Sequence, residues 1–559
     1  PRPQMMRESY RNLNGLWDYA ITDTDACPEN WDGKILVPFS PEAELSGVGR
    51  TLLPGQYLWY RRELVEAPQA GMRLLLHFGA VDQECRVWLN GRLLGGHTGG
   101  YTAFTLDATD ALAESNVLLV AVRDGTDTNE LSRGKQKTKR GGIWYTPQSG
   151  IWQTVWLESV PQNYIRSLRV TPLFDAHQVE ITVEGEGQCT IDLEGRRYTF
   201  PAGVPAHVPV RAFRPWSPEH PTLYPFSVTL GDDTVYSYFA MRKCSIETDK
   251  DGVRRLFLNG KPYFHNGLLD QGYWPDGLYT APSDDALVYD IQLAKDMGFN
   301  MLRKHIKVEC DRWYYHCDRL GMIVCQDMVN GGGSYSMPLV SYLPTVSQTL
   351  CNQIRDHNYS LFSRKDETHR NRFEQECRDT VAYLKFFPSI AIYCPFNEGW
   401  GQFDAVRITD MIRQLDPTRL IDSASGWFDQ GCGDFVSVHN YFRKLSIPAE
   451  HFSGKHLKAC ACPAGRARFL SEYGGLACQI KGHTSVDRIF GYKHYDTLPQ
   501  FQEAYSRLIQ DSLLPLKKKG LSGAVYTQVS DVEEEVNGLM TYDRKVIKVP
   551  VPAASEQEL

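Results

Sequence analysis

The chain has 559 residues, of which 42% are hydrophobic and 23% charged, a composition typical of a globular protein with about three or four domains of roughly 150 residues. Its formal net charge of −7 argues against nucleic acid or an acidic membrane surface as a partner. It contains no run of about 18 apolar residues, so we expect no membrane span. No signal-peptide pattern is visible in the sequence.

The 14 cysteines are scattered, and several fall in apparent core strands, among them Cys325 and Cys394. Only Cys460 and Cys462 are close together, and Cys-Ala-Cys is not a usual zinc spacing. The pattern indicates free thiols, which are typical of a reducing compartment. We therefore expect a cytoplasmic protein without a disulfide framework.

Residues 1–160 have the pattern of an all-β region. Short alternating runs recur between turn residues, and Asn90-Gly91 between two of them is a strong hairpin signal. These features predict a jelly-roll sandwich. Residues 161–245 continue with short strands separated by Gly and Pro turns, which fits an immunoglobulin-like β-sandwich.

From residue 246 onward, strand candidates alternate with helix candidates, which indicates βα units and a parallel sheet. Residues 246–559 are therefore predicted to form a (β/α)8 TIM barrel, in which catalytic groups lie at the C-terminal ends of the strands. The eight predicted strands lie near 263–267, 299–303, 322–326, 389–394, 419–423, 434–438, 467–471 and 522–526.

Two of these strands end in the same way. The mainly apolar run 389–396 is followed by Asn-Glu-Gly-Trp-Gly, with the glutamate at Glu398. The run 468–471 is followed by Glu472, a tyrosine and two glycines. A charged group rarely ends a buried strand unless it is paired or functional. Two carboxyl groups that meet across one barrel mouth suit acid/base and nucleophilic chemistry on glycosides.

Several motifs support this interpretation: Trp88–Gly91 with Gly95–Phe104, Pro215–Glu219, Leu258–Pro262, Asn397–Trp400 and Ser471–Gly474. Together they resemble glycoside hydrolase family 2, the β-galactosidase and β-glucuronidase family. The resemblance covers nearly the whole chain and implies a jelly-roll sugar-binding domain, an immunoglobulin-like domain and a catalytic barrel. It also implies a retaining exo-β-glycosidase.

The resemblance assigns the general acid/base to Glu398 and the nucleophile to Glu472. Asn397 resembles the family's asparagine that bonds the sugar 2-hydroxyl; a turn-forming asparagine is the alternative. Arg303 resembles an arginine that keeps the nucleophile ionised, and Tyr441 a tyrosine that bonds it. The alternatives for these two are a structural ion pair and a core tyrosine.

Further pocket candidates follow from the same resemblance. His305 is one, with a structural histidine as the alternative, and Asp270 and Trp400 are two more. Tyr526 stands where many members carry a tryptophan that floors the sugar site, and this departure changes the expected shape of the site. The remaining candidates are Trp144 and Tyr145, in a first-domain loop that reaches the barrel mouth in relatives; core packing is the alternative for both.

The C-terminal part of the chain bears on the choice of sugar. β-Glucuronidases of the family carry an Asn-x-Lys pair that grips the sugar carboxylate. The matching stretch here, 535–538, has no lysine, and Glu535 would repel a uronic acid. A neutral hexose or pentose is therefore favoured, and the frequency of β-galactosidases in the family makes a β-galactoside the first choice, with β-glucuronide, β-mannoside and α-L-arabinopyranoside as alternatives.

A non-catalytic carbohydrate-binding protein is the alternative from another class, and the presence of both glutamates argues against it. Large β-galactosidases of the family bind magnesium and sodium, but their ligand sets cannot be traced in this shorter chain. We therefore expect no metal and no cofactor. Relatives often form dimers or tetramers, which leaves a homo-oligomer open.

Overall fold

The computed structural model describes residues 2–67, 69–448, 465–484 and 486–551, so Cys460 and Cys462 lie outside the described residues. The cysteines that it describes are free thiols. Antiparallel sheets occupy the first half of the chain, and an eight-stranded parallel sheet dominates the second. Within the described ranges, no helix has both the length and the apolar character needed to cross a bilayer.

The first region is a two-layer antiparallel sandwich. Its strands are β1 (Tyr10–Asn12), β2 (Gly15–Thr22), β3 (Gly33–Val37), β4 (Tyr57–Leu64), β5 (Met72–Phe78), β6 (Val81–Asp82), β7 (Glu84–Leu89), β8 (Arg92–Thr98), β9 (Phe104–Asp107), β10 (Asn116–Arg123), β11 (Gly150–Ile151) and β12 (Val155–Pro161). One sheet has the order β1-β12-β5-β9 and the other β3-β2-β4-β10-β7-β8. Alternation buries one face of β10, where Leu118, Val120 and Val122 are fully enclosed.

The second region is a smaller sandwich with its own core. Its strands are β13 (Ser167–Leu173), β14 (Gln178–Glu184), β15 (Gln188–Leu193), β16 (Arg196–Pro201), β17 (Ala206–Pro209), β18 (Tyr224–Leu230) and β19 (Asp233–Phe239). The sheets β13-β14-β17 and β16-β15-β18-β19 enclose Ile181, Ile191 and Val228. A three-stranded sheet follows, formed by β20 (Cys244–Thr248), β21 (Arg254–Leu258) and β22 (Lys261–Pro262).

The third region is the predicted barrel. Its strands are β23 (His265–Asp270), β24 (Met301–Lys304), β25 (Ile323–Asp327), β26 (Ile390–Cys394), β27 (Phe396–Asn397), β28 (Leu420–Ile421), β29 (Ala424–Ser425), β30 (Phe435–Asn440), β31 (Ala467–Tyr473), β32 (Leu476–Ala477), β33 (Lys493–His494) and β34 (Leu521–Tyr526). The main sheet has the order β28-β26-β25-β24-β23-β34-β31-β30. The amide of Asp434 donates to the carbonyl of Ile421 at 2.8 Å and joins the two ends of this sheet.

Helices surround these strands. They are α1 (Asp284–Asp296), α2 (Asp311–Leu320), α3 (Leu343–Val346), α4 (Gln348–Cys351), α5 (Glu367–Leu384), α6 (Ala405–Leu415), α7 (Leu498–Arg507) and α8 (Leu514–Lys518). Helix α1 illustrates the local logic: the Ser283 side chain caps its first turn by accepting from the Ala286 amide, and its Leu287 and Ile291 face the core. The predicted fold class, two β-sandwiches and a TIM barrel, is confirmed; the exact domain boundaries stay a prediction.

Candidate active site

Glu398 lies on a strained turn just beyond β27. Its amide donates to the carbonyl of Ser425 at 2.9 Å, which continues the parallel pairing of β27 with β29. Its φ of 52° is in the left-handed region, which a residue with a side chain rarely adopts. Gly399 follows with φ 72°, and a Cβ there would lie 2.5 Å from the Phe428 ring. The Asn-Glu-Gly sequence is thus what this turn requires, and the turn presents the glutamate at the barrel mouth.

Glu472 lies in β31 and is held from both sides of its carboxylate. Arg303 donates to Oε1 at 3.1 Å, and the Tyr441 hydroxyl donates to Oε2. Two glycines follow in the left-handed region, where a Cβ on Gly474 would lie 2.4 Å from the Tyr526 ring. The Glu-Tyr-Gly-Gly sequence therefore allows aromatic rings to pack closely against the end of β31.

Arg303 organises the floor of the site. Its side chain is fully buried and donates to Asp327 at 2.9 Å as well as to Glu472. A third bond, at 2.8 Å, goes to the Oδ1 of Asn397. Because this oxygen is occupied, the buried Nδ2 of Asn397, which has no partner among the described residues, is the group left for a ligand. His305 joins the same network through a 2.8 Å contact of its Nδ1 with Asp327.

His439, to which the sequence assigned no role, lies between the two glutamates. Its Nδ1 is 2.8 Å from Glu398 Oε1. Its Nε2 is 2.9 Å from the Ser425 hydroxyl and 3.5 Å from Glu472 Oε1. A signal was available: His439 stands two residues before Tyr441, and alternate residues along a strand face the same side.

The two carboxyl groups have opposite electrostatic environments. Burial raises the pKa of Glu398, and the negative charge of Glu472 raises it further. Burial would also raise the pKa of Glu472, but the neighbouring His439 imidazole, the positive charge of Arg303 and the Tyr441 hydrogen bond hold it at about 2. Glu398 is therefore suited to carry a proton while Glu472 is ionised.

The separation of the two groups is short. One carboxylate oxygen of Glu398, one of Glu472 and one nitrogen of His439 all lie within 4.8 Å of one another. Retaining glycosidases hold their carboxyl groups about 5–5.5 Å apart, whereas inverting ones need about 6.5–9.5 Å. In the described part of the chain these three residues are also the group with the geometry to hold a metal ion.

A pocket of about 270 Å³ opens beside this pair, and His439, Tyr441, Trp427 and Phe442 contribute to its lining. The indole of Trp427, a second residue that the sequence did not single out, donates to the Glu398 carbonyl at 3.2 Å. Its ring meets the His439 imidazole edge-on at 5.2 Å. The pocket is thus lined by residues that contact Glu398 and Glu472.

The predicted aromatic residues fall into two groups. Trp400 and Trp144 lie together, with ring centroids 5.1 Å apart, in a cluster that includes Tyr335. Tyr145 is fully buried and bonds Glu535 through its hydroxyl. Tyr526 is also fully buried, with its ring edge-on to the neighbouring rings Tyr473 and Tyr505.

Asp270, the remaining pocket candidate, is engaged by neighbouring groups. It forms an ion pair with Lys304 at 2.7 Å and accepts from the Gly272 amide at 2.8 Å. The Lys304 ammonium is also 4.0 Å from the Trp313 ring centroid. This arrangement matches a residue that stabilises the end of β23.

Comparisons with known proteins identify the family and the fold of this chain. Residues 251–556, more than half of the chain, match the family model of the TIM barrel domain of glycosyl hydrolases family 2. A β-glucuronidase from Paenibacillus borealis is 23% identical over 90% of this chain and 87% of its own length. A β-galactosidase from Thermoanaerobacter pseudethanolicus is 24% identical over 48% of this chain. The chain spans only 39–40% of the length of several curated relatives that it matches.

Solved structures show the same fold over almost the full chain. A β-D-glucuronidase from Dictyoglomus thermophilum has a TM-score of 0.72 at 17% identity and covers 97% of this chain and 96% of its own. A β-galacturonidase from Eisenbergiella tayi has a TM-score of 0.70 at 18% identity, with 97% and 94% covered.

Proposed function

The chain belongs to glycosyl hydrolases family 2, a family of glycoside hydrolases, and on that premise we propose that it removes terminal sugars from β-glycosides with retention of anomeric configuration. The observation that carries the proposal is the pair of carboxyl groups at the barrel mouth. Oxygens of Glu398 and Glu472 lie within 4.8 Å of each other, yet burial raises the pKa of the first and surrounding positive charges lower that of the second. That combination suits a retaining acid/base and nucleophile pair.

The reaction would proceed in two steps. Glu472 attacks the anomeric carbon while Glu398 donates its proton to the departing glycosidic oxygen, and a covalent glycosyl-enzyme forms. Bond formation removes the negative charge of Glu472, which had raised the pKa of Glu398. Glu398 can then act as a base toward the water that releases the sugar.

Three groups support these two residues in the proposal. Arg303 and Tyr441 hold the nucleophile ionised and correctly oriented. The free amide group of Asn397, fixed by Arg303, is placed to donate to the sugar 2-hydroxyl. A bond to this hydroxyl that strengthens in the transition state contributes several kcal/mol in glycosidases.

Two classes of sugar have support. A β-galactoside is favoured by the missing Asn-x-Lys pair and by relatives named β-galactosidase. A β-uronide is favoured by the full-length likeness to a protein named β-glucuronidase. The objection that Glu535 repels a uronic acid is weakened, because both of its carboxylate oxygens accept hydrogen bonds, from Tyr145 and Asn537.

The test is hydrolysis of a panel of p-nitrophenyl glycosides: β-galactoside, β-glucuronide, β-galacturonide, β-glucoside, β-mannoside and α-L-arabinopyranoside. Nuclear magnetic resonance of the first product should show the β-anomer from the β-configured substrates. Glu472→Gln should reduce kcat by at least about 10⁴-fold, since removal of a nucleophile is among the most costly substitutions. Glu503→Gln, at an exposed glutamate on α7, is the matched control and should keep full activity.

Two results would overturn the proposal. The first is release of the α-anomer from a β-glycoside, which would mean inversion. The second is equal turnover by wild type and Glu472→Gln. Wild-type turnover of any one sugar, lost in Glu472→Gln and kept in Glu503→Gln, would support it and identify the preferred substrate.

A further inference from the structure

Among the lysines that the structure describes, four are almost fully buried, and one of them differs from the others. Lys304 pairs with Asp270 at 2.7 Å, Lys307 with Glu309 at 2.6 Å, and Lys548 with Asp531 at 2.6 Å. Lys135 is only 5% exposed, yet in the described part of the chain no carboxylate lies within ion-pair distance of it. Burying an ammonium group without a counter-ion is costly, so an unpaired one at a ligand site calls for an anion.

Lys135 belongs to the first sandwich but lies at the barrel mouth. Its ammonium is 5.6 Å from the centroid of the Tyr145 ring and 6.0 Å from that of Trp400, two residues beyond the acid/base glutamate. Burial lowers the pKa of His305 to about 4, and the positive charge of Lys135 adds to this effect. The same charge acts against the burial that raises the pKa of Glu398. The ammonium is thus close enough to sense both groups.

The surrounding segment, 133–140, is basic, with five cations in eight residues. Its other members face elsewhere or are already engaged. Arg133 donates to the carbonyls of the glycine turn at 332–333, and Arg140 pairs with Glu533 at 3.1 Å. The Lys137 ammonium lies 4.5 Å from the Trp144 ring centroid, and Lys139 is exposed. Lys135 is thus the buried lysine of this segment that has no ion-pair partner among the described residues.

We propose that Lys135 binds the carboxylate of the substrate sugar, so that the preferred substrates are β-D-uronides. The inference rests on the retaining glycosidase function proposed above and names its substrate class. A lysine from the first sandwich would then bind the sugar carboxylate. In β-glucuronidases of the family, the Asn-x-Lys pair near the C-terminus has this function, and this chain lacks that pair. An ammonium–carboxylate bond in an enclosed site is a charge-assisted bond, among the stronger polar contacts available.

The C-terminal side offers no equivalent cation among the described residues. The buried lysine there, Lys548, is held by Asp531 and by the carbonyl of Val536 at 3.1 Å. Asn537, which stands in the stretch matching the Asn-x-Lys pair, donates to Glu535 and accepts from Gln528. These groups are committed to one another, so none of them is available to a carboxylate on the sugar.

Lys135→Met tests the assignment, because methionine keeps the length of the side chain and removes the charge. The measured quantity is the ratio of kcat/KM for p-nitrophenyl β-glucuronide or β-galacturonide to that for the β-galactoside. We expect this ratio to fall about 100-fold, the effect of losing one charge-assisted bond. Lys139→Gln, four residues further along the same basic segment, is the matched control and should leave the ratio unchanged.

A merely structural lysine would behave differently. Its loss would lower activity toward charged and neutral sugars by the same factor and lower the melting temperature. If Lys135 instead awaits a ligand, Lys135→Met should melt at or above the wild-type temperature, because an uncompensated buried charge has been removed. An unchanged ratio, or a wild type that prefers neutral glycosides, would overturn the inference while leaving the glycosidase function intact.

Binding provides a second readout that does not depend on turnover. Calorimetric titration of the Glu472→Gln protein with D-glucuronate, D-galacturonate, D-glucose and D-galactose should show tighter binding of the two uronates. That preference should disappear when Lys135→Met is added. Equal affinity for acidic and neutral sugars would refute the role of Lys135, whereas failure of the glycosidase proposal itself would appear only in the kinetic panel.

Discussion

The surroundings of Glu472 and Glu398 differ more than their sequences suggest. Both glutamates follow an apolar strand, and both precede glycine-containing turns. Glu472 is surrounded by donors and cations, whereas Glu398 has His439 as its one close side-chain partner in the described residues and stands next to the negative charge of Glu472. Neighbours from other strands, and not the local motif, therefore raise the pKa of Glu398 and lower that of Glu472.

The largest expected effects come from replacing the two glutamates themselves, because the two variants should differ in how their activity depends on the leaving group. Glu398→Gln should reduce kcat/KM by about 10²–10⁴-fold for substrates with poor leaving groups, because these need a general acid. The loss should be far smaller for 2,4-dinitrophenyl glycosides, whose leaving group departs without a proton. Glu472→Gln should be inactive toward both kinds of substrate. A Glu398→Gln protein equally impaired on both would contradict the assignment.

A smaller effect follows from weakening the environment of Glu472 alone. Tyr441→Phe removes the hydroxyl that donates to Oε2, while the ring keeps its stacking on Tyr492 at 4.0 Å. Loss of one hydrogen bond to a charged group should lower kcat by about 10–100-fold. It should also move the acidic limb of the pH–rate profile upward, because this bond lowers the pKa of Glu472. Tyr505→Phe, at a half-buried tyrosine next to Tyr526, should change neither.

The smallest expected effect concerns the residue shared by both glutamates. His439 lowers the pKa of Glu398 and that of Glu472. Without it, Glu472 should gain a proton at higher pH, and Glu398 should keep its proton to higher pH. The whole bell-shaped profile of kcat/KM in His439→Gln should therefore move to higher pH, with about a tenfold loss at the optimum. Movement of only one limb would mean that His439 serves only one of the two groups.

Local sequence patterns were sufficient to predict the architecture of the chain. Period-2 alternation, turn residues and the later alternation of strands with helices predicted two β-sandwiches and a barrel. Each of the eight predicted barrel strands overlaps an observed one. These signals are local, because they arise from burial on one face of a strand or helix. The motifs around Glu398 and Glu472 were equally visible in the sequence. Their glycines are required because the backbone there is in the left-handed region and neighbouring rings leave no room for a Cβ.

Other features of the site were decided by contacts between distant parts of the chain. The bridging position of His439 depends on β30 lying between β29 and β31, and the location of Trp427 depends on its bond to the distant carbonyl of Val340. Tyr526 was placed at the sugar floor from sequence, but its ring is enclosed by Tyr473 and Tyr505. Whether a side chain faces a cavity or a core depends on the residues that pack over it. These residues are distant in sequence, so a local pattern cannot predict them.

Lys135 marks the clearest division between the two kinds of information. In sequence it is one lysine in a basic run, and such a run is usually a solvated surface. Only the docking of the first sandwich on the barrel buries it beside Trp400 and deprives it of a counter-ion. Sequence by itself determined the elements and the fold class and singled out Glu398 and Glu472 as the proposed catalytic pair, because hydrophobic periodicity and turn glycines are features of neighbouring residues. Tertiary structure decided which charges are paired, because pairing joins residues that are far apart in the chain.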